Sequence, residues 1–179
     1  DYIFKQHKLI NNIIDKSNQD TYNNLQLTNT SLIEIGIVSG DIVEHPVSYF
    51  TSTFLQEFDS SLYSITCYSE NPIQSKVYPK IKTVLTRGRS AQDVSREIRS
   101  KDTKILFDLA GHTAYNRIDI FALKPAPIQV SYIGYPFSSG LDEMTHRITD
   151  RFCDHPVYSK KYHTEELLFM DNSFLCYQA

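Results

Sequence analysis

Leu32-Ile33-Glu34-Ile35-Gly36-Ile37-Val38, followed by Ser39-Gly40-Asp41 and then Pro46, is the stretch that decides the fold. A short apolar, β-branched run bounded by turn residues reads as a buried strand. Ser39-Gly40-Asp41 turns the chain, and Pro46 suits a first helical turn. Val47, Phe50, Phe54, Leu55 and Phe58 then fall on one helical face. Strand, turn and amphipathic helix in that order open a βαβ unit.

Downstream the alternation repeats. Leu62 to Tyr68 reads as a second strand and Ile81 to Leu85 as a third. Ser90 with Asp93 has the form of a capping box, and Val94 and Ile98 continue that helix. Ile105-Leu106-Phe107 reads as a central strand ended by Asp108. Ile118 to Leu123 reads as a short helix stopped before Pro125. Ile128 to Ile133 follows as a strand, and Arg147-Ile148-Thr149-Asp150 as the last short one. The pattern predicts an α/β domain: a Rossmann-like open, mostly parallel sheet with helices on both faces. No internal repeat and no low-complexity segment interrupts it.

Upstream, residues 1–30 differ in composition. Ile3, Phe4, His7, Leu9, Ile10, Ile13 and Ile14 recur at helical spacing, so the first 16 residues are read as one helix packing on something. The Asn-, Gln- and Thr-rich residues 17–30 are read as a polar connection. The chain opens Asp1-Tyr2-Ile3 with neither a Met nor a signal-peptide core, the mark of a fragment or processed product.

With 179 residues, 41% of them hydrophobic, the chain can bury one core and is no disordered tail. A formal net charge of -3 gives no reason to expect nucleic acid or an anionic membrane as partner. Apolar runs such as Lys104 to Leu109 are too short to span a bilayer. Cys67, Cys153 and Cys176 have no C-x-x-C spacing, and each is read as a small buried hydrophobe, reduced in a cytosolic or nuclear setting.

In open α/β sheets, ligands bind beyond the carboxyl ends of the strands. There the sequence gathers Ser39 to Pro46, Asp108 to Thr113, Gly134 to Gly140, and Asp150. His45 precedes Pro46 at a helix N-terminus, where the helix end favours a neutral imidazole able to take a proton or a hydrogen bond. A histidine that caps the helix or packs is the other reading, and both stand at this stage. For Asp108, Gly111, His112 and Thr113, a ligand-lining loop and a loop that satisfies its own backbone are balanced readings. Gly134 and Ser138-Ser139-Gly140 could offer N–H groups to a phosphate or sugar, or form a plain turn. No G-x-G-x-x-G, Walker A or H-E-x-x-H pattern is present. His146, His155 and His163 are read as unrelated surface histidines.

The same segments resemble the O-GlcNAc transferase family, Spindly-type and bacterial relatives included. The matching blocks are Ile35 to Asp41 with His45-Pro46-Val47-Ser48-Tyr49-Phe50; Ile105 to Thr113; Phe121 to Val130 with Ile133-Gly134-Tyr135-Pro136 and Ser139-Gly140; and Arg147 to Asp150, with Phe174 to Tyr177 as tail. The resemblance implies the first lobe of a two-lobed glycosyltransferase that moves N-acetylglucosamine, with inversion, from UDP-GlcNAc to Ser or Thr hydroxyls of proteins. Some plant members transfer fucose from GDP-fucose instead. It implies His45 as the catalytic residue near acceptor and sugar. Gly111, His112, Thr113, Ile133 and Gly134 would line the sugar, with Asp108 in support. No metal or other cofactor is expected. A second lobe, absent here, would supply most nucleotide contacts and a Lys near the diphosphate.

Residues 1–30 would then be a helical linker from a preceding tetratricopeptide-repeat region, and 31–179 the N-terminal catalytic lobe. Protein acceptors, the nucleotide sugar and the second lobe are the expected partners, and cytoplasm or nucleus the expected location. The alternative is a truncated, non-catalytic relative acting as a binding module. Three positions depart from the family pattern: Ile42 for Phe, Tyr132 for Trp, and Phe137 for Gly, the last expected to crowd the pocket.

Overall fold

The computed structural model describes residues 2–17, 32–40, 42, 45–73, 76 and 78–177. The stretch read as a connection lies outside them except for Ser17, as do Asp41, Val43 and Glu44. Two short helices, α1 (Tyr2–Lys8) and α2 (Ile10–Ile13), precede the sheet. The alternating part runs β1 (Ile33–Val38), α3 (Pro46–Glu57), β2 (Tyr63–Ser69), β3 (Lys82–Leu85), α4 (Ala91–Ser100), β4 (Ile105–Asp108), α5 (Ile118–Ala122), β5 (Ile128–Ser131), β6 (His146–Asp150) and β7 (Glu166–Met170).

All seven strands are parallel, in the order β3-β2-β1-β4-β5-β6-β7. The chain builds outward from β1 to β3, then returns to the other side of β1 with β4. That reversal makes a topological switch point between β1 and β4, where the carboxyl ends Val38 and Asp108 lie in register.

Strand residues alternate between two cores because successive side chains point to opposite faces. Ile35, Ile37, Ile65 and Cys67 join Val47 and Leu55 of α3 on one face. Val38, Tyr68 and Leu106 join Val94 and Ile98 of α4 and Ile118 and Phe121 of α5 on the other. Both faces of the central strands are therefore covered, which is why β1 reads as a continuous apolar run.

The expected mostly parallel sheet is present, and β1 to β4 fall within a residue of their expected limits. Four details differ. The strand expected to reach Ile133 stops at Ser131, because Ile133 takes a left-handed φ of 55°. The sheet continues past β6 to β7, a strand without a single β-branched residue, so propensity pointed elsewhere. The single N-terminal helix breaks at Leu9 into α1 and α2. The Asn11 side chain there donates to Gly140 O at 2.7 Å and accepts from Asp142 N–H, and this anchoring outweighs the weak helix propensity of Asn11-Asn12. Only Cys67 is buried; Cys153 and Cys176 are exposed, on the segments flanking β7.

Candidate active site

His45 is the N-cap of α3, with extended backbone and its Nδ1 accepting from Val47 N–H at 3.3 Å. A ring nitrogen that accepts an N–H carries no proton, so neutral His45 holds its proton on Nε2. The capping reading is thus correct, and it fixes the tautomer: Nε2 carries the donor proton, on a residue that lies between β1 and the first turn of α3.

Across the switch point, the loop after β4 is folded by Asp108. Its buried carboxylate accepts from Ala110 N–H at 2.9 Å and Gly111 N–H at 3.1 Å. Burial pushes its pKa up, and the two amides oppose that shift. Thr113 turns its hydroxyl back to Ala110 O at 2.8 Å. For these two side chains the loop-satisfying reading describes what they do. His112 is different. Its Nε2 lies 2.7 Å from Ser139 O, and a carbonyl can only accept, so Nε2 is the protonated nitrogen.

The loop after β5 meets this one closely. A Cβ added at Gly134 would stand 1.7 Å from Leu109 O, so only glycine lets the two backbones touch. A Cβ added at Gly111, whose φ is 58°, would stand 2.3 Å from the Tyr135 side chain. Ile133 packs half-buried toward the α3-side core in its left-handed conformation, a strained backbone at a strand end. Gly111, His112, Ile133 and Gly134 therefore form one surface at the ends of β4 and β5. His45 stands at the same end of the sheet, after β1. Phe137 packs on Tyr135 and lines a hollow with Tyr2, Phe4, His7 and His163.

Sequence reasoning missed how α1 contributes. His7 stacks on His112 with ring centroids 4.4 Å apart, and its Nε2 lies 3.1 Å from the Tyr135 hydroxyl. Burial lowers the His7 pKa, and the His112 ring pushes it the same way. Helical spacing showed that α1 packs on something, but no local signal named these loops. His163, read as a surface residue, has its ring buried, with Nδ1 donating to Ser159 O at 3.0 Å. Among the described residues, no group of three or more His, Cys, Asp or Glu side chains could hold a metal ion. No helix among them is long and apolar enough to cross a membrane.

The family model for glycosyl transferase family 41 matches residues 6–178. The chain belongs to that family. Among family 41 relatives, a probable UDP-N-acetylglucosamine–peptide N-acetylglucosaminyltransferase SPINDLY of Solanum lycopersicum is 40% identical over 154 residues, 80% of this chain and 16% of that protein. The UDP-N-acetylglucosamine–peptide N-acetylglucosaminyltransferase of Caenorhabditis elegans is 30% identical over 157 residues, 82% of this chain and 13% of that protein. This family 41 chain thus spans about one sixth of the length of its SPINDLY relative. A mutant O-GlcNAc transferase of Thermobaculum terrenum shares the fold, with a TM-score of 0.82 at 22% identity over 96% of this chain and 34% of its own.

Proposed function

We infer that this family 41 chain is the nucleotide-sugar-facing lobe of a protein O-GlcNAc transferase, which moves N-acetylglucosamine from UDP-GlcNAc to Ser or Thr hydroxyls of proteins. The observation that carries this reading is that His45, the Gly111-His112 turn and the Ile133-Gly134 turn follow the carboxyl ends of three neighbouring parallel strands, β1, β4 and β5, at and beside the switch point. Family membership across residues 6–178 and the names of the relatives supply the reaction. A second lobe closes the cleft and holds the diphosphate, and no metal takes part. Residues 1–30 lead in from a tetratricopeptide-repeat region that selects acceptors, and the protein works in the cytoplasm or nucleus.

In the displacement, the acceptor oxygen bonds to the anomeric carbon as the bond to the UDP oxygen breaks, inverting that carbon, and the hydroxyl proton passes to the departing diphosphate. Alignment and leaving-group stabilisation supply the rate. His45 acts by donating from Nε2 to a substrate oxygen, orienting it for attack. Gly111, His112, Ile133 and Gly134 line the sugar, and Asp108 and the Thr113 hydroxyl keep their loop in shape. The test is transfer of labelled GlcNAc by the protein as its own transcript encodes it, with His45→Ala beside it. The variant should lose about 10²-fold in kcat. Near-normal turnover by His45→Ala removes His45 from the mechanism. An inactive parent protein that still binds UDP-GlcNAc would favour a non-catalytic binding module.

A further inference from the structure

Two charged side chains outside the cleft are spent on a single loop. The Arg147 guanidinium, on β6 and 3% exposed, donates from Nη1 to Tyr135 O at 3.0 Å and Phe137 O at 3.1 Å, and from Nη2 to Pro136 O at 3.0 Å. Glu165, also 3% exposed, lies just before β7. It accepts from Ser138 Oγ at 2.6 Å, Ser139 N–H at 2.6 Å, and the Ser139 hydroxyl. Five consecutive residues, Tyr135 to Ser139, are thus tied by one cation and one anion. Arg147 Nε also faces Asp154, at 3.9 Å too far for a hydrogen bond.

Burying both charges carries a large desolvation penalty, so the arrangement needs a return. Simple packing of the loop would be cheaper with apolar residues of similar volume. What the charges supply is orientation. The planar fork of a guanidinium holds three successive carbonyls in a fixed geometry, whereas the three donors of lysine radiate from one rotating nitrogen. The fixed loop then passes its position on. Ser139 O holds the His112 ring through Nε2, and Tyr135 bonds His7 and lies edge-on to both imidazoles.

We propose that Arg147 and Glu165 are positioning residues for the transfer reaction, setting the place of the His112 imidazole through the Tyr135–Ser139 loop. This rests on the reading of the switch-point surface as a donor-sugar site. Neither residue touches the sugar; each acts one step removed, as a supporting partner orients a ligand-binding side chain.

The experiment compares Arg147→Lys and Glu165→Gln with the parent in two measurements. The first is the tautomer of His112, read from its imidazole nitrogen shifts in the 179-residue chain. The second is steady-state transfer by the protein as its own transcript encodes it. In Arg147→Lys, His112 should lose its pure Nε2–H form. kcat/KM for the nucleotide sugar should fall roughly tenfold to a hundredfold, with the acceptor KM unchanged. Glu165→Gln, which keeps the volume, should shift both in the same direction by less. Parent-like tautomer and kinetics in both folded variants overturn the proposal, as does a loss of rate that only tracks the unfolded fraction. If the parent transfers no sugar at all, the functional reading fails, and the His112 tautomer alone decides the positioning role.

Discussion

The rings of His7 and His112 stack 4.4 Å apart with their planes 19° from parallel, joining the first helix of the chain to the loop after the central strand. Burial and the facing imidazole both disfavour a charge on His7, so its folded pKa lies below the ordinary 6.5. As pH falls through 6.5 the unfolded chain takes up that proton before the folded one, so stability drops on acidification. The urea midpoint should therefore fall between about pH 7.5 and about pH 5.5, and the step should shrink in His7→Phe, which keeps the ring stack. Glu70 and Glu97 have depressed pKa values, so the stability they contribute is lost only well below this window. An undiminished step in His7→Phe would assign the dependence to another group.

Gly134 separates a steric demand from a conformational one. Gly134→Ala places Cβ against the backbone of Leu109, which no rotamer change can relieve. It should cost about 3 kcal/mol or more, or prevent folding outright. Gly88 has a φ of 76° but nothing within 4 Å of an added Cβ, so Gly88→Ala should cost only about 1 kcal/mol. Equal losses in chemical denaturation would mean the two strand-end loops do not pack as described.

How far the sequence could be read follows the same division. Strands β1, β2 and β4 carry their burial in their own apolar runs, and α3 and α4 announce themselves through Pro46 and the Ser90–Asp93 cap, where Ser90 Oγ accepts Asp93 N–H at 3.1 Å. The place of Gly111, His112 and Gly134 beyond strand ends was legible because turn residues follow the strands there, whereas Ile133, read as the end of β5, was not. β7 was not, because Glu166-Leu167-Leu168-Phe169-Met170 suits a helix as well as an edge strand. The roles of His7, Arg147 and Glu165 were not either. Each depends on a partner distant in sequence, Ser139 and Glu165 being 26 residues apart, and no local pattern encodes such a pair.

Tyr115 sits at a φ of 57° in the loop after β4, with its side chain 69% exposed. The left-handed backbone penalises an ordinary side chain, while an exposed ring recovers little packing energy. Tyr115→Asn should stabilise the chain by about 0.5–1 kcal/mol, since asparagine tolerates this conformation. Tyr115→Val, with a branched Cβ, should destabilise it. A loss of stability in Tyr115→Asn would show that the Tyr115 ring makes a contact worth more than the strain.

Asp150 ties the C-terminal tail to the sheet. Its Oδ2 accepts Phe174 N–H at 3.0 Å, and its Oδ1 accepts Phe152 and Cys153 N–H, both at 2.9 Å. Tyr132, at the end of β5, donates its hydroxyl to Phe174 O at 2.9 Å. Between them these bonds hold Phe174 in the wall of an apolar hollow of about 300 Å³, shared with Phe50, Phe54, Phe107 and Met170. The Phe174 amide, ahead of the other two, holds the Asp150 carboxyl below its ordinary 3.8. The tether is thus complete above pH 3.8 and is lost as pH falls through the lower folded value. Asp150→Ala should imitate that loss at neutral pH: the Phe174 amide should exchange faster, and an apolar dye should gain fluorescence as the hollow opens. Asp150→Asn keeps one acceptor oxygen and should fall between. If exchange at Phe174 and dye binding are unchanged in Asp150→Ala, then packing of Phe174 against Tyr132 holds the tail without the carboxylate.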